Sequence, residues 1–180
     1  MDETIGFWRD LLGLPLVGGI GERGSRQYFF DAGGGSLISF FEWKGVQPVE
    51  DKDPGRPVSG PFVFDHICLE VEDADALWRL KEHLEEAGVW VTEVLDNGFI
   101  HSFFTTDPNN IQVEVCISVE GRDLRKHPRM ADPEPTPRAL EGPQGKSKIV
   151  DKTSDTSQMK KRLYPGPLLG IFLKKNRWEE

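Results

Sequence analysis

Two stretches of the chain place chemistry-bearing side chains on one face. In FVFDHICLEV (residues 62–71), strand alternation sets Ile67, Leu69 and Val71 against His66, Cys68 and Glu70. In IQVEVCI (residues 111–117), Gln112, Glu114 and Cys116 lie opposite Ile111, Val113, Val115 and Ile117. If the aliphatic faces pack on a helix, His66 and Glu114 point together to the other side. An imidazole and a carboxylate placed so can ligate a divalent cation or move a proton on a substrate. A carboxylate in the middle of an apolar strand is costly to bury unpaired. A metal, an arginine or a partial opening to water would each compensate it. His101, in FIHSFFTT beside Phe99 and Phe103, reads either as an acid–base group of the cleft or as a hydrogen-bonded core or edge histidine. Cys68 and Cys116 share the face of His66 and Glu114, and read as adaptable space-filling side chains rather than thiolate ligands. His83 sits on a helix face with Glu82, Glu85 and Glu86 and reads as solvated; the run Gly33-Gly34-Gly35 has no phosphate-cradling spacing and reads as a tight turn.

The elements that position these residues recur in two halves. In the second half, the strand carrying His66 is followed by Asp73 or Asp75 as a helix N-cap, then Leu77, Leu80, Leu84 and Ala87 at helical spacing, with Gly88 as the stop. VWVTEVL, FIHSFFTT and IQVEVCI then read as three strands joined through Asp96-Asn97-Gly98 and Asp107-Pro108-Asn109-Asn110. The first half repeats the order without its opening strand: a helix with Ile5, Trp8 and Leu12 on one face, Gly13 as its stop, then LPLVGG, RQYFFD and SLISFFEW. The expected fold is α+β, made of paired βαβββ modules. The expected boundaries are residues 1–45 for the incomplete first module, 46–60 for a linker, 61–118 for the second module, and 119–180 for a polar, Pro-rich tail without packed structure.

FWRDLLGLPLVGG, YFFDAGGGSLISFFEW, FDHICLEV and SFFTTDPNNIQVEV resemble the vicinal oxygen chelate superfamily, which includes glyoxalase, bleomycin-resistance proteins and extradiol ring-cleaving dioxygenases. The resemblance spans roughly residues 5–117. It implies two modules enclosing a cleft that holds a divalent metal (Zn, Ni, Mn or Fe), with ligands from the first and last strands of each module. Those positions correspond here to His66 and Glu114, and in the first module to Glu42. Glu114 and His101 are the candidate catalytic groups. The fourth ligand position falls six to nine residues before Met1, so an upstream strand bearing His, Gln or Glu is expected, and the 2-His-1-carboxylate triad of non-haem iron oxygenases cannot be assembled from the aligned positions. The implied activity is a metal-dependent reaction on a small vicinal-oxygen substrate, the metal acting as Lewis acid. Glu42 favours a glyoxalase-like lyase or isomerase over an extradiol-type dioxygenase. The contrasting reading is a metal-free binding protein of the bleomycin-resistance kind, with Phe40, Trp43, Trp90 and Phe103 as an aromatic wall.

Composition narrows the partners. Residues 1–117 carry 8 Lys+Arg against 21 Asp+Glu, so this body would repel phosphate backbones and nucleic-acid binding is not expected. No apolar run approaches the ~20 residues that span a bilayer, and MDETIGFWRD is not a secretory signal. Two cysteines do not make a disulfide framework, which points to a reducing, cytoplasmic setting. A module lacking its opening strand leaves an unpaired sheet edge at SLISFFEW, so a homodimer is expected, with a partner strand or the tail covering that edge.

Overall fold

The computed structural model describes residues 1–57, 59, 64–144, 157, 160–166, 169–174 and 178. It divides into two units, Met1–Asp123 and Leu124–Glu180.

The first unit has the mixed α+β organisation expected. It opens with α1 (Asp2–Ile5), which widens at once into a π-helical segment, Gly6–Leu11. The widening is visible as a bond from Leu12 N–H to Phe7 O, five residues back. Gly13, at φ +78°, then turns the chain in a conformation that side chains disfavour. Three antiparallel strands follow, β1 (Leu16–Glu22), β2 (Ser25–Asp31) and β3 (Leu37–Trp43), in that spatial order. As the sequence predicts, β3 is an edge: among the described residues it pairs with β2 alone.

The second module is β4 (Ile67–Glu70), α2 (Ala74–Glu86), β5 (Leu95–Asp96), β6 (Ile100–Thr106) and β7 (Gln112–Ser118), in the sheet order β4-β7-β6-β5. β4 runs parallel to β7 and the other pairs are antiparallel, which is the signature of a βαβββ module. Asp73 caps α2 by accepting from Ala76 N–H at 2.6 Å. Leu77 and Leu84 of α2 are buried against Phe103, Val113 and Val115. At roughly 1.5–3 kcal/mol for each large apolar side chain removed from water, this contact fixes which face of the sheet is left for chemistry.

Two strands are shorter than their periodicity predicts. β4 begins at Ile67 rather than Phe62. Residues 61–63 lie outside the described residues, and Asp65 is engaged by the linker, accepting from Gly55 N–H and from Lys52 Nζ. VWVTEVL yields only a bridge at Val91 and the two-residue β5. There, hydroxyls take over bonds of the ladder: Thr92 Oγ1 accepts from Phe104 N–H and Thr105 Oγ1 donates to Trp90 O. The first unit also runs five residues past Ser118, because Val119 N–H bonds to Phe99 O and Arg122 reaches Gly98 O.

In the second unit the described residues include a single 3-10 turn, Ala139–Glu141, and a four-residue helix, α3 (Leu169–Phe172), with Leu169 and Phe172 exposed. Residues 145–156, 158–159, 167–168, 175–177 and 179–180 of the stretch expected to lack packed structure lie outside the described residues. No helix among the described residues is long and apolar enough to cross a membrane.

Candidate functional site

The packing of α2 on Val113 and Val115 turns Gln112, Glu114 and Cys116 of β7 to the opposite face of the sheet. Register brings Cys68 of β4 opposite Glu114, and Phe104 of β6 opposite it on the other side. His66, just before β4, completes the group. Its Nε2 is 3.1 Å from Glu114 Oε2, and its Nδ1 is 2.7 Å from Asp65 Oδ2. The Phe104 ring stands edge-on to the imidazole at 5.3 Å between centroids. The two residues that sequence alternation assigns to one face therefore meet.

Burial grades across the site. Glu114, Gln112, Cys116 and Ser102 are nearly inaccessible, whereas the His66 side chain keeps 29% of its surface exposed. His66 is thus the side from which Glu114 can be approached. Two surface hollows of about 490 and 320 Å³ lie elsewhere, on the outer side of α2 and beside Gly13 and Asp31, and neither is lined by His66 or Glu114.

The electrostatics centre on Asp65. The Lys52 ammonium, then the His66 ring and the Gly55 amide, hold its carboxyl well below the usual carboxylate range. Lys52, a linker residue with only 9% of its side chain exposed, closes a chain of contacts Lys52–Asp65–His66–Glu114. Sequence reading passes over both Lys52 and Asp65. The dipeptide Asp65-His66 is the available signal, since a ligating histidine commonly leans on a neighbouring carboxylate. The two cysteines also meet: the Cys68 thiol donates to Cys116 Sγ at 3.2 Å. That contact, burial and the neighbouring Glu114 push the Cys68 thiol upward.

Glu42 lies on a different face from the one expected. Ile38 and Phe40 share its side of β3 and pack under the first helix, with Phe40 5.4 Å from Trp8. Glu42 itself accepts from the Met1 amino group at 2.7 Å and pairs with Arg26 at 2.8 Å. It faces the helix of its own module, whereas Glu114 faces away from the helix of its module. His101 also falls on the α2 side of β6, in step with Phe103 and opposite Ile117, with Nε2 3.6 Å from Asp96. The structure does not bring it to Glu114. The expected aromatic wall is not assembled either: Phe103 is fully buried and Phe40 packs on Trp8, while Trp43 pairs with Phe41 at 5.4 Å and both are about half exposed.

Two β-sheet modules of this α+β topology define the glyoxalase-like class of folds. Residues 1–115 match the Glyoxalase/Bleomycin resistance protein/Dioxygenase superfamily, and the chain belongs to that superfamily. No curated protein sequence matches it. Among solved structures, a glyoxylase/bleomycin resistance protein/dioxygenase domain from Frankia sp. EAN1pec is similar at 21% identity and TM-score 0.54, over 66% of this chain and 89% of that one. The trypanothione-dependent glyoxalase I of Leishmania major is similar at 18% identity and TM-score 0.50, over 65% and 78%. The fosfomycin resistance protein FosX of Listeria monocytogenes, as a mutant complexed with Mn(II) and 1S,2S-dihydroxypropylphosphonic acid, is similar at 16% identity and TM-score 0.52, over 69% and 88%. At these identities the likeness is one of fold.

A divalent ion suits this site in donor type but not in donor number. Either a proton or a cation between His66 Nε2 and Glu114 Oε2 would satisfy both atoms, and the anchoring of Nδ1 on Asp65 is that of a ligating imidazole. Yet among the described residues no three His, Cys, Asp or Glu side chains are arranged to hold a metal. Catalytic zinc sites ordinarily have three protein ligands. The described residues thus offer two candidate donors, His66 and Glu114, not a whole centre.

Proposed function

We propose that the chain is a metal-dependent enzyme acting on a small molecule with adjacent oxygens, and that His66 and Glu114 are two of the metal's ligands. The observation that carries this reading is the double anchoring of His66, through Nδ1 on Asp65 and Nε2 on Glu114. When bound, the metal supplies Lewis acidity toward substrate oxygens. Asp65, accepting from Nδ1, fixes the ring so that Nε2 faces Glu114. Phe104 keeps one side of the imidazole dry, and Lys52 holds Asp65 in place. Coordination beyond the two residues has to come from water, substrate or further protein groups. Because Glu42 faces the first helix, it no longer favours a glyoxalase-like lyase or isomerase over an extradiol-type dioxygenase, and assays on 2-oxoaldehydes and on catechols separate these. Elemental analysis of protein purified without chelators tests the class. One equivalent of a divalent metal, lost in His66→Ala and in Glu114→Gln, is expected. Stoichiometric retention in the double variant would overturn the assignment.

That no third donor joins His66 and Glu114 among the described residues favours a second reading, a metal-free small-molecule-binding protein of the bleomycin-resistance kind. In that case the exposed Phe41–Trp43 pair would offer the surface for a flat or cationic ligand. Metal-free protein that binds such ligands unchanged by added divalent ions would establish this reading instead.

A further inference from the structure

The only two cysteines in the sequence stand together beside the candidate site. Cys68 is opposite Glu114 and Cys116 is opposite Glu70, so the two thiols are diagonal neighbours on paired strands and on the same face. Their Sγ atoms are 3.2 Å apart. Cys68 is exposed and Cys116 is buried. A disulfide requires a sulfur separation of about 2.05 Å, so the pair is roughly 1 Å from bonding distance. β4 has four residues and, among the described residues, pairs on one side only, with β7, and a short edge strand of this kind can give the required shift.

We propose that Cys68 and Cys116 form a thiol–disulfide switch next to Glu114, driven by a low-molecular-weight disulfide such as oxidised glutathione. Exposure sets the order, and the upward push on the Cys68 thiol slows exchange without changing its end point at equilibrium. The Cys68 sulfur attacks the glutathione disulfide, giving a mixed disulfide and releasing one glutathione thiol. The Cys116 sulfur then attacks the Cys68 sulfur, closing the internal S–S bond and expelling the second glutathione thiol. Two electrons pass from the cysteines to the glutathione disulfide, and the two thiol protons leave on the two glutathione products. Closure replaces the Cys68 S–H that donates to Cys116 with a covalent S–S bond at the position opposite Glu114. The switch is independent of what the His66–Glu114 pair binds.

The test uses the full chain, without metal or substrate, brought to equilibrium with glutathione at graded oxidised-to-reduced ratios. Remaining thiols are then alkylated and the intact mass is measured. The expected product is a monomeric chain lighter by two hydrogens and carrying no glutathione, with a Cys68–Cys116 cross-linked peptide that dithiothreitol reverses. Cys116→Ser is expected to stop at a stable glutathione adduct on Cys68. A wild-type chain that accumulates the glutathione adduct, forms disulfide-linked dimers, or keeps both thiols at every ratio would overturn the proposal, and the wild-type measurement decides even if a variant fails to fold.

Discussion

The indole N–H of Trp8 donates a 2.9 Å hydrogen bond to Asp107 Oδ2, joining the first helix of one module to the last turn of the other across 99 positions of sequence. Asp107 is 2% exposed and spends both oxygens: Oδ1 accepts from the backbone of Asn109 and Ile111, and Oδ2 also accepts from Asn109 Nδ2. FWRDLL and DPNN are therefore two ends of one buried joint.

Replacing Asp107 by Ala strands several buried donors at once. The expected loss is on the order of 3 kcal/mol, read as a lower urea midpoint. Trp8→Phe, which keeps most of the apolar volume but loses the donor and opens a small void, is expected to cost less. An Asp107→Ala chain within about 0.5 kcal/mol of wild type would show that the joint does not hold the modules together.

Metal retention distinguishes the three candidate ligands. His66→Ala and Glu114→Gln are expected to lose bound divalent metal, and Glu42→Gln to keep it, because Glu42 is committed to Met1 and Arg26 on the helix side of β3. Asp65→Asn should weaken metal binding by about 10–100-fold while leaving the far-UV spectrum unchanged, as loss of a group that orients a ligand does. Calorimetric titration with Mn(II) reads both. Metal lost from Glu42→Gln would place Glu42 back in the site.

The contrast between Glu114 and Glu42 shows what alternation can and cannot reveal. IQVEVCI carries aliphatic residues on one side only, so its parity, and with it the direction of Glu114, is legible without coordinates. SLISFFEW carries Phe40 on one face and Phe41 on the other, and FIHSFFTT repeats the ambiguity with Phe103 and Phe104. In each case a distant partner decides which aromatic is buried: Trp8 selects Phe40, and the α2 core selects Phe103. Glu42 and His101 turn with those choices, and local periodicity holds no information about them. The glycine stops at Gly13 and Gly88 are legible because positive φ is a local demand. The clasp of Lys52 on Asp65 is not, since it depends on where the linker runs.

Acid stability is expected to depend on Glu42. The Met1 amino group, and after it Arg26, hold the Glu42 carboxyl below its ordinary value. A carboxyl depressed on folding adds stability that is present above its unfolded value of about 4.3 and is lost as pH falls through the folded value. In the 180-residue chain, the melting temperature of wild type should therefore drop more steeply below about pH 4.3 than that of Glu42→Gln. Parallel profiles for the two would mean that the ion pair does not contribute in solution.

The edge of the first sheet makes the last prediction. β3 pairs with β2 on one side, and on its outer face Phe41 and Trp43 stand about half exposed in mutual contact. Unpaired edges with apolar flanks recruit another strand unless charge or a bulge blunts them. Glu42, the one charged side chain within β3, lies on the opposite face and is held there by the Met1 amino group and Arg26. A homodimer joined along β3 is the expected state, with sedimentation giving twice the chain mass at micromolar concentration. Phe41→Lys puts an unpaired charge on the outer face of the edge without touching the Trp8–Phe40 packing beneath it, so it should shift the chain to monomer while its melting curve stays cooperative. A wild-type chain that sediments as a monomer at every concentration, with β3 amides as protected from exchange as those of β6, would mean that the edge is covered from within the chain.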